Sequence, residues 1–123
     1  MSASLCLRLA AVFGGTAVAL GAFAAHAMKA HYEPAALQTF ETGVRYQMYH
    51  ALALGLCAAL AHAGWRTLLP AACFALGIAL FSGSLYGLVL LDAKWLGPVT
   101  PIGGVSFLVG WALLLRGPTA PRT

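Results

Sequence analysis

Apolar and polar positions alternate along this chain in long blocks rather than short periods. Four apolar runs, about residues 5–28, 44–62, 67–91 and 101–115, are separated by brief polar clusters. A helix rises 1.5 Å per residue, so about 20 apolar residues cross a hydrocarbon layer roughly 30 Å thick. The pattern predicts an all-α membrane protein: a four-transmembrane-helix antiparallel bundle forming one integral domain over residues 1–123. The most polar connection, Lys29 to Thr39, contains Pro34, a natural first-turn residue, followed by Leu37, Phe40, Glu41 and Val44 at helical spacing. A short interfacial helix between spans one and two is therefore expected. Ala63-Gly64-Trp65-Arg66 makes the next turn and Asp92 to Pro98 the last. Thr100 then serves as N-cap and Pro101 as first helical residue of span four. Pro118 and Pro121 mark a frayed tail.

Within the runs, small residues recur at close-packing intervals. Ala17, Gly21 and Ala25 stripe span one, Gly83 and Gly87 form a GxxxG pair in span three, and Gly103, Ser106 and Gly110 stripe span four. Span two is different. Gly43, Tyr46, Gln47, His50 and Leu54 fall on one helical face, with Glu41 four residues before Arg45 in the better order for an ion pair. Hydrocarbon penalises such a face, so it should turn inward onto other helices. Tyr46 and Tyr49 also suit the water–lipid boundary, where tyrosine is common without any further role.

Composition agrees with lipid as the solvent. Hydrophobic residues make up 61% of 123 and charged residues 8%, against about 25% charged in an average soluble domain. The net charge of +4 arises from seven Lys/Arg scattered singly, which is not a nucleic-acid pattern. Cys6, Cys57 and Cys73 are widely spaced in apolar runs and read as small buried residues. Ala22-Phe23-Ala24 and Ala25-His26-Ala27 resemble signal-cleavage sites, but the first run exceeds a signal core and more spans follow, so it is read as a retained span. Arg8, Arg66, Arg116 and Arg122 fall on one side with no acid. Lys29, Arg45 and Lys94 share the other with all three acids. The basic excess predicts cytoplasmic termini.

Several segments, in order and across almost the whole chain, resemble the domain of unknown function 423 family of small inner-membrane proteins. They are Gly21-Ala22-Phe23-Ala24-Ala25-His26, Phe40-Glu41-Thr42-Gly43 with Tyr46 to Leu54, Phe81-Ser82-Gly83-Ser84-Leu85-Tyr86, and Gly97-Pro98 with Thr100 to Gly104. The first block departs at Ala24, where the family usually shows glycine. The resemblance implies a four-span protein of the bacterial inner membrane, with relatives in mitochondria and no established activity, cofactor or catalytic residue.

Antiparallel threading gathers the candidate site. His26 ends span one; Glu41, Arg45, Tyr46, Gln47, Tyr49 and His50 open span two; Ser82, Ser84 and Tyr86 lie late in span three; Thr100 starts span four. A polar cluster in the extracytoplasmic leaflet is expected, with Tyr46, Gln47 and His50 facing Ser82 and Tyr86 beneath His26 and Arg45. Three readings compete. In the first, the chain is a non-enzymatic structural or accessory component whose polar groups fix packing and create a docking surface for a membrane-protein partner or a second copy. In the second, a pocket between spans two and three binds or transports a small amphiphile, quinone or ion. In the third and weakest, His26 and His50 hold haem or a metal. No histidine spacing matches a metal-ligand motif and no nucleophile motif surrounds Ser82 or Ser84, so no cofactor, metal site or enzymatic activity is expected.

Overall fold

A computed structural model describes residues 2–117; the tail carrying Pro118, Pro121 and Arg122 lies outside the described residues. Those described contain only helices and turns. Helix α1 spans Ala3–Ala25, α2 Pro34–His62, α3 Leu68–Leu90 and α4 Val99–Leu115. Three stretches, Ala3–Ala30, Leu68–Leu90 and Lys94–Leu115, are long and apolar enough to cross a membrane.

Two sequence expectations change here. No separate interfacial helix forms: Pro34 starts a helix, as its spacing suggested, but that helix continues without a break to His62. No proline follows Pro34 in this segment, and its one glycine, Gly43, is held inside the helix by close packing against α3. In α4 the helix begins at Val99 with Pro98 at the cap position, so Thr100 is inside the first turn and is not the N-cap. The Ala63–Arg66 turn is a Schellman closure. Gly64 adopts φ +96°, its N–H donates to Ala61 O (3.0 Å), and Trp65 N–H donates to Leu60 O (2.9 Å).

The helices pack in chain order, α1 on α2, α2 on α3 and α3 on α4, each antiparallel to the last. Cys6 meets Leu54 and Cys57 in one apolar cluster, which continues through Ala71, Phe74 and Ile78 to Phe107. At the other end of the bundle, Ala24, Met28 and Phe40 form a second cluster against Val44, Tyr86 and Val89. The buried stripe of α1 therefore runs through Ala17, half-buried Gly21 and Ala24 and continues to Met28 in the turn beyond, while Ala25 is exposed. A strict four-residue repeat drifts about 40° per step around a 3.6-residue helix, so Ala25 leaves the face that Ala24 keeps.

Glycine positions set the α3–α4 contact. A Cβ on Gly103 would overlap the backbone N of Phe81, one on Gly77 would overlap the Phe107 ring, and one on Gly110 would lie 2.6 Å from Phe74 Cε1. Ser106 donates to Cys73 O (2.7 Å) in the same seam. Gly87 receives Leu96 from the following turn. Gly83 does not pack: it is exposed, with nothing within 4 Å of its Cβ position. The reason is local. Residues Ile78–Ser82 form a π-helical turn, with Gly83 N–H donating to Ile78 O. The wider turn alters the register of the following residues, turning Ser82 and Ser84 inward and Gly83 outward. We expect Gly103→Ala to lower the melting temperature in detergent, by about 1–3 kcal/mol of overpacking. Gly83→Ala should be neutral or raise it, by up to about 1 kcal/mol from helix propensity. Equal losses in both variants would contradict this packing.

Candidate functional site

Between the two apolar clusters lies a polar layer centred on Gln47. This side chain is 4% exposed. Its Nε2 donates to Phe13 O (2.9 Å) and Thr16 Oγ1 (2.7 Å) on α1, and its Oε1 accepts from Tyr86 Oη (2.6 Å) on α3. Because a backbone carbonyl can only accept, the bond to Phe13 fixes which end of the amide faces α1. Thr16 passes its own proton to Val12 O (2.8 Å). One turn before Gln47, Gly43 makes room for α3. A Cβ there would lie 2.8 Å from Tyr86 Cε1, and Ser82 Oγ donates to Gly43 O (2.7 Å). Ser84 and Thr100 share a hydrogen bond between α3 and α4.

The layer is deeper than the sequence pattern implied. Thr16 sits near the middle of α1, and Gln47 is roughly 20 Å from the N-terminal end of α2, because α2 starts at Pro34 rather than Val44. His26, Glu41 and Arg45 do not close it over. All three are exposed, and Arg45 Nη2 turns to Thr42 Oγ1 at 3.3 Å.

His50 joins a different group. It does not face Ser82 or Tyr86; its ring stacks on Phe107 of α4, with centroids 3.5 Å apart and planes 9° from parallel. Nδ1–H donates to Tyr46 O (2.7 Å) and Nε2 accepts from Trp111 Nε1–H (3.1 Å). Those two bonds define the neutral Nδ1–H tautomer and occupy both ring nitrogens. The nitrogen lone pair that would ligate a metal is therefore directed at an indole N–H. Among the described residues, no group of three or more His, Cys, Asp or Glu converges as a metal site.

Tyr46 is 39% exposed and leans on Phe81 (centroids 4.8 Å), with Tyr49 beside it at 5.6 Å. With His50, Phe107, Leu108 and Trp111 they line a cavity of about 450 Å³ between α2 and α4, across the π turn. This is where the histidine and tyrosines go, and a reading by helical face alone misses it. Positions 43, 47, 50 and 54 follow the buried stripe, whereas Tyr46 lies on its edge. The partners Thr16, Phe107 and Trp111 lay in runs read as plain apolar spans. Thr16 carried the one available signal, a lone hydroxyl in the middle of the apolar first run.

The geometry defines a small all-helical protein with apolar spans whose interior polar groups are taken up in helix–helix bonds. Among the described residues, the buried side-chain polar atom without a partner is Thr67 Oγ1. Comparison with known sequences gives the same class a family. Residues 20–104 match the family described as a protein of unknown function, DUF423, and the chain belongs to that family. It is 44% identical over 123 residues to the UPF0382 inner membrane protein YgdD of Escherichia coli K12, covering 95% of this chain and 91% of that one. The UPF0382 membrane protein YwdK of Bacillus subtilis is 42% identical over 117 residues, covering 87% of this chain and 89% of that one. Those names record a place in the membrane and no reaction. No solved structure matches the chain.

Two outcomes test the geometry. Gln47→Leu and Tyr86→Phe should couple in a double-mutant cycle by about 0.6–1.7 kcal/mol, the range of interhelical bonds in membranes. Strict additivity would mean that the bond contributes nothing. Nitrogen-15 spectra should show His50 as the Nδ1–H tautomer, with that preference relaxed in Trp111→Phe.

Proposed function

We propose that this chain is a four-span, non-enzymatic component of the bacterial inner membrane, with cytoplasmic termini, serving a membrane-protein partner or a second copy of itself as a structural or accessory subunit. The observation that carries this reading is the internal bonding of Gln47: both amide protons are donated to α1 and the amide oxygen accepts from Tyr86 of α3. A residue kept to donate to a ligand would have a free N–H, and Gln47 has none. The fourth span is α2. It packs between α1 and α3, both apolar enough to cross, and its 29 residues are about 43 Å long. That exceeds the hydrocarbon thickness of about 30 Å, which leaves Glu41 and Arg45 near the water side, where they are exposed. The interfacial segment is on this reading the protruding start of α2.

A second reading rests on the 450 Å³ aromatic cavity between α2 and α4. It suits a small lipid-soluble amphiphile or quinone, held by ring contacts with Tyr46, Phe81 and Phe107. Purification in mild detergent at native abundance separates the two. A stoichiometric membrane-protein partner, or a stable homo-oligomer, supports the subunit reading. A defined small molecule that is lost when Gly104→Leu fills the cavity supports the second. The purified protein should show no Soret band and no stoichiometric zinc or iron; a haem band abolished by His50→Ala would reverse this ranking.

Reporters fused after residue 122 and within 64–66 should be cytoplasmic, and one within 29–33 outside. A 29–33 reporter in the cytoplasm overturns the orientation. Termini on opposite sides overturn the four-span count.

A further inference from the structure

The end of the bundle that holds the α2–α3 turn carries a second feature, unrelated to the polar layer. Arg66, from that turn, and Arg116, from the end of α4, line one small cavity of about 110 Å³. Trp65 stands beside them, and Leu69, Pro70 and Leu113 contribute its apolar wall. The two arginines come from separate elements, and each is placed by a glycine termination. The Schellman closure at Gly64 (φ +96°) sets Trp65 and Arg66, and Gly117 (φ +75°), whose N–H donates to Leu114 O (3.0 Å), ends α4 at Arg116.

The charge around this cavity is uncompensated by side chains. The chain has three acids, Glu33, Glu41 and Asp92. All three lie at the other end of the bundle: Glu33 caps α2, Glu41 is in its first turns, and Asp92 follows α3. Arg66 and Arg116 border one cavity at an end of the bundle without an acidic side chain, so an anion seated between them would meet two positive charges. Arginine presents a planar fork of donors that matches a phosphate bidentately. The surroundings select the kind of phosphate. Tryptophan at this position marks headgroup depth, and the leucine and proline wall offers contact for the upper part of an acyl chain. Basic pockets between spans at a membrane surface are suited to lipid headgroups.

We propose that Arg66 and Arg116 form a binding site for the headgroup phosphate of an anionic phospholipid, flanked by Trp65. The site is independent of the subunit reading above, since it lies outside the polar layer and the aromatic cavity. Full-length protein in mild detergent is titrated with short-chain phosphatidylglycerol, phosphatidylcholine or sodium phosphate. Binding is read as a melting shift and as retained lipid in native mass spectra. Phosphatidylglycerol should raise the melting temperature and remain bound, and phosphatidylcholine should do neither. Each arginine near an anionic surface is worth about a fivefold change in affinity. R66Q/R116Q should therefore bind roughly thirtyfold more weakly while melting normally without lipid, and R8Q, at the same end, should bind as the parent does. If the glutamine pair fails to fold, R66K/R116K keeps the charge and should still weaken binding through loss of the fork; unchanged binding there counts against the site. Equal response to phosphatidylcholine, full binding by R66Q/R116Q, or an equal loss in R8Q overturns the proposal. A shift reproduced by sodium phosphate alone overturns the lipid assignment in favour of a free oxyanion.

Discussion

An amide with two protons and a carbonyl oxygen cannot sit between apolar helices unless each is matched, and Gln47 imposes that condition on three helices at once. Its protons require Phe13 O and Thr16 Oγ1 at a fixed height on α1, and its oxygen requires Tyr86 on α3. Tyr86 reaches it only because residue 43 has no side chain to block the ring. A slide of one residue along either neighbour would break these bonds, whereas the leucine and alanine contacts above and below could re-form. In a solvent as apolar as the side chains themselves, register comes from such groups and from close packing, not from hydrophobic segregation.

The α3–α4 pair solves the same problem with shape. Phe107 lies between His50 and Gly77, Phe74 lies against Gly110, and the π turn at Phe81 meets Gly103. Each aromatic ring or backbone segment fits where the opposing helix is thinnest. His50 and Trp111 add a polar clasp across the bundle, connecting α2 to a helix it does not pack along. Two mechanisms therefore hold four helices: hydrogen-bond matching in the first three, and glycine–aromatic complementarity in the last two.

Much of this was legible in the residues. The helical class, the Pro34 start, the His62 end and the small-residue seams at Gly21, Gly103 and Gly110 follow from spacing and composition. Gln47 and Tyr86 stood out because a buried polar group in an apolar run needs a partner. What the pattern does not contain is the azimuth of each helix to within one residue. Ala24 replaces Ala25, and Gly83 turns outward, for reasons of helical drift and one π turn that no residue in Ile78–Ser82 announces. His50 lies on the expected helix face but stacks on Phe107 of α4, with Phe74 of α3 farther away, and nothing in one sequence says which helix supplies the stacking ring.

The division of Gln47's bonds between helices also orders the assembly of the chain in time. Translation delivers α1 and α2 first, and both amide protons find their acceptors inside that hairpin. The carbonyl oxygen waits until some forty residues later, when Tyr86 emerges on α3. Up to that point the nascent hairpin carries one open acceptor facing the place that α3 will occupy. The growing chain thus holds a directional mark for α3, while the bonds that wait for α4 are others, at His50 Nε2 and Ser84.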